Sequence, residues 1–293
     1  MKWSAPLHFV NPVADHPPQI CPFPGTKGWE GAKGANVLGA IRNTTDVLAR
    51  WVQEGSNPAD PVANEALRFL IHFAGDVHMP FHLVGRARGG NDVYVKWGGK
   101  KVSKYLSSIL DHVGNAAERL RKIELHGLWD TNLVQRAIQN TPPKWATPLS
   151  SDIEKHLHGA KYDPLIRKTI IGGINGTWAT SSKSWVQCPA ISPFPSSRGD
   201  DQTVLESVWD PSETDGAFVC PWRWSAPIHQ MACDWAWPKE LDKPPYDAPN
   251  GPLLEMDTDQ YAGKVAKEWV VEKLLAMAGI RLALILNLIF APS

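Results

Sequence analysis

FLIHFAGDVHMPFH, residues 69–82, and LHGLWDT, residues 125–131, each set a histidine four residues before an aspartate: His72 before Asp76, and His126 before Asp130. Side chains at i and i+4 share one face of an α-helix, with β-carbons roughly 5–6 Å apart, so each pair presents an imidazole and a carboxylate to one point. Both segments therefore read as helices. Nitrogen and oxygen donors without thiolates suit zinc in a hydrolytic site better than a structural zinc, which usually draws on cysteine. Pro80 stops the first helix, because proline lacks the amide proton and clashes with the preceding turn. His82 then lies past the helix end, where it can fold back over the face carrying His72 and Asp76.

Helical periodicity dominates the rest of the chain. Helices are expected over residues 36–54, 62–79, 105–124, 127–140, 151–158, 165–185 and 260–289, the second opened by Asp60 as a cap and Pro61 at its first position. Alternation with period two is confined to residues 92–97, which predicts a small hairpin arm. Loops around 142–148, 189–215 and 238–252 are rich in Pro, Ser, Gly and Asp. No repeat or shift of composition marks a boundary, so the expectation is an all-α chain forming a single multi-helix domain over residues 1–293. The apolar stretch at 278–290, interrupted by Arg281 and Asn287, is shorter than the roughly 20 residues that a bilayer crossing needs. It is expected to pack as the end of an amphipathic helix, with no membrane partner.

With 30 basic and 30 acidic residues the chain has no global field to attract nucleic acid or anionic lipid, so a polyanionic substrate must be held locally. Fourteen Trp and 20% charged residues argue against disorder. The four cysteines, Cys21, Cys188, Cys220 and Cys233, include no closely spaced pair, which excludes a thiolate zinc site or a thioredoxin-like centre. Their even count permits two disulfides, with three pairings that spacing does not rank. Sequons at Asn43 and Asn175 point to glycosylation on an oxidising secretory route, whereas residues 1–6 contain no apolar signal core.

One His-x3-Asp pair is usually an ordinary surface or core pair. Two of them, with His82 and with His8 in Leu7-His8-Phe9-Val10, put six donors in view and point to a multinuclear site. Two or three ions sharing one bridging carboxylate clamp the attacking and leaving oxygens of a phosphoryl transfer. The other histidines read as bystanders. His78 falls on the opposite side of the helix from His72; His112, His156 and His158 sit in polar surroundings; His16 and His229 occupy Pro-rich or Trp-rich connections.

HFAGDVHMPFH, the following Gly89-Gly90-Asn91, LHGLWDT and the opening WSAPLHFV together resemble the zinc-dependent single-strand nucleases of fungi and plants, the S1/P1 family. Order and spacing agree from Trp3 to Gly279-Ile280-Arg281-Leu282-Ala283 in the last helix. The resemblance implies the helical fold shared by phospholipase C and the P1 type, and a trinuclear zinc centre. It also implies an endonuclease whose substrates are RNA and single-stranded DNA, cut to 5′-phosphomononucleotides. Carried over by position, His82, His126 and Asp130 hold one zinc, and His8, His72 and Asp76 most of a second, with Asp76 bridging to a third. His72 and Asp76 are then catalytic through metal-bound water. Phe9 matches the aromatic on which a base stacks, while Asn11 and Asn91 lie at substrate-contacting positions. The family is secreted, and the implied disulfides are Cys21 with Cys233 and Cys188 with Cys220.

Family members begin with a tryptophan whose amine and carbonyl bind zinc, followed by a histidine ligand and later an aspartate. None of these occurs here, since Trp3 matches an internal family segment, and Asn11 stands where an aspartate is frequent. The expectation is thus an N-terminally truncated relative with one complete and one partial zinc site, exposed apolar surface, and weak or no activity. The alternatives are a zinc-dependent phospholipase C and a non-catalytic, vestigial secreted protein. A monomer is expected, for want of coiled-coil heptads.

Overall fold

A computed structural model describes residues 2–25, 27–98, 122–148, 154–157, 162–188, 215–216, 219–248 and 250–291. The described chain is mostly helical, with one two-stranded sheet, in agreement with the all-α expectation. In chain order the main helices are α1 (Val37–Gln53), α2 (Pro61–Asp76), α3 (Leu125–Gly127, continued by wider turns over Leu128–Asn132 and by Leu133–Gln139), α4 (Asp163–Arg167, continued by Lys168–Thr177), α5 (Pro221–Met231, continued by Ala232–Ala236) and α6 (Val270–Phe290). They fall into two compact units. One comprises Met1–Arg86, Thr177–Trp237 and Leu274–Ser293, the other Ala87–Gly176 and Pro238–Lys273.

In the first unit α1 packs on α2, and each begins where its capping residue stands. The Asn36 side chain accepts from Gly39 N at 3.0 Å, and Asp60 accepts from Val62 N at 2.8 Å ahead of Pro61. Such caps are worth about 1 kcal/mol each, because they satisfy amides that have no partner inside the helix. Val37, Leu38, Ile41 and Leu48 of α1 are buried, as are Leu70 and Phe73 of α2, Phe81 and Leu83 of the short helical turn Pro80–Leu83, and Trp224 and Ile228 of α5. Both disulfides lie in this unit, Cys21–Cys233 and Cys188–Cys220, with Cα–Cα distances of 6.1 and 5.7 Å. These are the pairings that the resemblance implies.

In the second unit strand β1 (Tyr94–Lys96) pairs antiparallel with β2 (Lys122–Glu124), Val95 opposite Ile123. The backbone of β2 runs directly into α3, with Leu125 N bonded to Val93 O at 2.8 Å. Polar pairs tie the surrounding helices. Arg167 grips Glu154 through two bonds of 2.6 and 2.9 Å, Lys168 meets Glu272 in a buried pair beneath the Trp269 ring, and Arg136 meets Asp257.

Several boundaries differ from the expectation. The hairpin arm takes its second strand from residues 122–124, which periodicity assigns to a helix, because backbone pairing with β1 outweighs local pattern. α2 stops at Asp76 rather than at residue 79. α4 ends at Thr177, and the helix expected over 260–289 is broken at Trp269, whose φ is +54°. α5 was expected as a connection; Pro221 at its first turn is compatible with a helix, and Pro227 lies inside it. α6 runs for 21 residues and, by length and composition, is long and apolar enough to cross a bilayer, which corrects the shorter apolar span read from residues 278–290. Its buried side includes Leu274, Ala278, Arg281 and Ile285, whereas Leu275, Leu288 and Phe290 are exposed. The expected helix over 105–121, His112, His158 and the loop over 189–214 lie outside the described residues.

Candidate metal centre

The first unit brings four of the six expected donors together around one carboxylate. Asp76 is the last residue of α2, and its side chain is only 12% exposed. His8, at the end of the helical turn Lys2–His8, places Nδ1 2.9 Å from Asp76 Oδ2. His72, one turn back on α2, places Nε2 3.5 Å from the same oxygen, and His82 places Nδ1 3.8 Å from Oδ1. The side chains of His8, His72 and Asp76 each offer an atom within 4.8 Å of the other two. Pro80 creates this arrangement, because the chain turns at the end of α2 and returns His82 to the helix terminus through Pro80–Leu83.

The surroundings of Asp76 fit a cation. Burial holds its carboxyl above the usual carboxylate range, against the opposing pull of His82, His72 and His8. A divalent ion among three imidazoles and this carboxylate would supply the positive charge that burial otherwise denies the anion. His82 is already oriented for such a role, since its Nδ1–H donates to His8 O at 2.5 Å, which makes Nε2 the ring atom with a lone pair. Metal-binding histidines characteristically carry such a second bond, which fixes tautomer and ring plane.

The second unit holds the other His-x3-Asp pair. His126 Nδ1–H donates to Gly89 O at 2.8 Å, and Nε2 lies 3.2 Å from Asp130 Oδ2. The carbonyl is delivered by a left-handed turn in which Ala87, Arg88, Gly89 and Gly90 have φ of 48°, 54°, 64° and 79°. Asn91 closes that turn, its side-chain amide donating to Arg88 O at 2.7 Å. Asn11 donates its amide to Glu30 Oε2 at 3.2 Å. Phe9 is 39% exposed next to His8, and both sequon asparagines, Asn43 and Asn175, are exposed.

Sequence reasoning passed over two buried polar pairs beside Asp76 and His82. His78 is buried, its Nδ1–H donating to Ala74 O at 2.6 Å and its Nε2 accepting from Arg281 Nη1 at 2.7 Å. His229, read as part of a connection, instead lies buried in α5 with Nε2 3.1 Å from Asp15 Oδ1. The other Asp15 oxygen accepts Gly85 N at 2.9 Å, three residues past His82. Gly85 is required there, since a β-carbon would meet Pro12 O at 2.6 Å. The partners are 203 and 214 residues apart, so no local spacing announces them.

The family model described as S1/P1 Nuclease matches residues 1–291. The chain belongs to the S1/P1 nuclease family. Similar relatives include Endonuclease 2 of Arabidopsis thaliana, 26% identical over 292 residues that make up 98% of this chain and 72% of that protein. Nuclease P1 of Penicillium citrinum is 31% identical over 157 residues, 52% of this chain and 47% of that protein. Nuclease S1 of Aspergillus oryzae is 29% identical over 136 residues, 46% of this chain and 37% of that protein. Membership in the S1/P1 nuclease family makes nucleic acid the substrate class and phosphodiester hydrolysis the reaction class. The family's zinc dependence agrees with a donor set of imidazoles and carboxylates free of thiolate.

Proposed function

We propose that this chain is a zinc-dependent endonuclease that hydrolyses single-stranded DNA and RNA to 5′-phosphomononucleotides. The observation that carries the reading is the convergence of His8, His72 and His82 on the half-buried Asp76 in a member of a nuclease family. His8, His72 and Asp76 are assigned to one zinc, with Asp76 shared towards a further ion, and His82, His126 and Asp130 are assigned as further zinc ligands. When bound, zinc polarises a phosphoryl oxygen and lets water ionise near neutral pH. Asp76 supplies the anion that gathers the imidazoles. The backbone carbonyls of His8 and Gly89 hold the rings of His82 and His126 through Nδ1, so that Nε2 is the donor in both.

The half-exposed Phe9 ring supports a base-stacking role beside the cluster. Stacking is indifferent to base identity and needs an unstacked base, which favours single strands over duplex. The two disulfides and the exposed Asn43 and Asn175 support a secreted, glycosylated protein. The test is cleavage of denatured DNA, RNA, duplex DNA and phosphatidylcholine by zinc-loaded protein, before and after chelation. Chelator-sensitive cleavage of the single strands to 5′-phosphorylated products is expected. Turnover of lipid alone would replace the reading with a phospholipase, and cleavage that survives chelation would remove the metal from it.

A further inference from the structure

The segment between Asp76 and His82 has to leave α2, turn, and return a second ring to the helix end. Its only polar side chain is His78, which points away from the cluster into the protein. His78 Nδ1–H satisfies Ala74 O, a carbonyl in the last turn of α2, where the helix no longer supplies an amide. The next amide along, His78 N, goes to Gly75 O, and Met79 N goes to Asp76 O. The His78 ring therefore serves as a side-chain cap for the turn that ends in Asp76.

That cap is fixed from outside. Arg281 of α6 donates Nη1–H to His78 Nε2, Nε–H to Trp185 O at 2.8 Å and Nη1–H to Trp224 O at 3.3 Å, and its guanidinium lies 5.2 Å from the Trp224 ring centre. No carboxylate faces it among the described residues. A buried guanidinium without an anion is an unfavourable arrangement unless its donors are satisfied. Here one of them is satisfied by an imidazole that must stay neutral to accept it.

We propose that Arg281, acting through His78, is a positioning residue that sets the end of α2 and thereby the placement of Asp76 and His82 as metal ligands. The inference rests on the assignment of those two residues as zinc ligands. Neither member of the pair touches the cluster, so its effect is on ligand geometry rather than on chemistry.

The test uses the full chain with three replacements: His78→Leu, the double variant His78→Leu/Arg281→Leu, and His78→Gln. The double variant removes both ends of the His78–Arg281 bond together, so no buried guanidinium is left without its acceptor, while the carbonyls of Ala74, Trp185 and Trp224 each lose a side-chain donor. Thermal unfolding and thiol titration establish that each protein is folded and disulfide-bonded. Zinc affinity is then read by competition with a chelating dye, and ligand geometry by the visible absorption of the cobalt-substituted protein. Relative to wild type, the double variant should bind zinc at least about tenfold more weakly and shift the cobalt bands, with kcat on an oligonucleotide reduced and KM little changed. His78→Gln, which keeps a donor for Ala74 O and an acceptor for Arg281, should recover most of both readouts. A folded double variant with wild-type zinc affinity and cobalt spectrum would overturn the inference and leave the pair a packing element. Equal losses in the Gln variant would overturn it as well, since the imidazole's bulk rather than the bond would then be what matters. A wild-type protein that takes up no zinc would instead sink the ligand assignment beneath it.

Discussion

α2 and α3 carry the same His-x3-Asp spacing with opposite burial. In α2 the carboxylate is the enclosed partner, Asp76 at 12% exposure against 60% for His72. In α3 the imidazole is enclosed, His126 at 15% against 41% for Asp130. The backbone follows the same division. α2 is regular up to Asp76, whereas α3 widens across Leu128–Asn132 and so carries Asp130 on a looser turn. A shared spacing thus yields two kinds of donor pair. One is organised around a buried anion that several rings approach; the other is organised around a ring pinned by a carbonyl, with its anion left in solvent.

The difference predicts unequal consequences for the two aspartates. Asp76→Asn removes the charge on which His8, His72 and His82 converge, so single-strand cleavage should fall by about 10³-fold, equivalent to about 4 kcal/mol at the transition state. Asp130→Asn, at the solvent-facing pair, should lose closer to tenfold. Steady-state kinetics at saturating zinc measures both, and equal losses would erase the distinction.

The stapling of the first unit gives the next contrast. Cys188→Ser with Cys220→Ser opens a loop whose ends are 32 residues apart, which loop-closure entropy values at about 3–4 kcal/mol. In the second unit ion pairs such as Lys168–Glu272 and Arg167–Glu154 do the corresponding tying among the described residues. Chemical denaturation of the double serine variant should therefore show a lower midpoint, while Arg167→Ala should cost less than the disulfide. The reverse order would mean that the bidentate pair, not the disulfide, dominates stability.

Much of this was legible in the sequence where the cause is local. Asn36 and the Asp60-Pro61 pair set helix starts because caps act within three residues. Pro80 announced the return of His82. The disulfide pairing came through resemblance alone, since spacing ranks none of the three alternatives. What stayed hidden depends on distant chain. Residues 122–124 become a strand only because Tyr94–Lys96 is there to pair with them. Arg281 reads as an interruption of an apolar helix until His78, 203 residues earlier, supplies an acceptor. Asp15 and His229 carry no mutual signal at all until the fold joins them.

Phe9 sharpens the α2 side of the comparison, because its ring is the exposed apolar surface beside His8. Phe9→Ala should raise KM for single-stranded oligonucleotides by roughly 5- to 150-fold, the range of about 1–3 kcal/mol for a stacked base, with kcat nearly unchanged. A matched fall in kcat would instead make the ring part of the packing that supports His8.

The smallest expected effect sharpens the α3 side. The carbonyl that pins His126 comes from a turn with two non-glycine residues in left-handed conformation, Ala87 and Arg88. Such a conformation costs an L-residue roughly 1–2 kcal/mol, part of which glycine recovers, although glycine also has more freedom to lose on folding. Ala87→Gly should accordingly stabilise the protein by about 0.5–1 kcal/mol, read as a small rise in the denaturation midpoint. Cleavage should remain unchanged, because Gly89 O stays where it is and continues to accept from His126. A more stable protein with weaker zinc binding would mean that the strain at Ala87 itself holds the carbonyl against the ring, and that the α3 pair is set by its turn rather than by its helix.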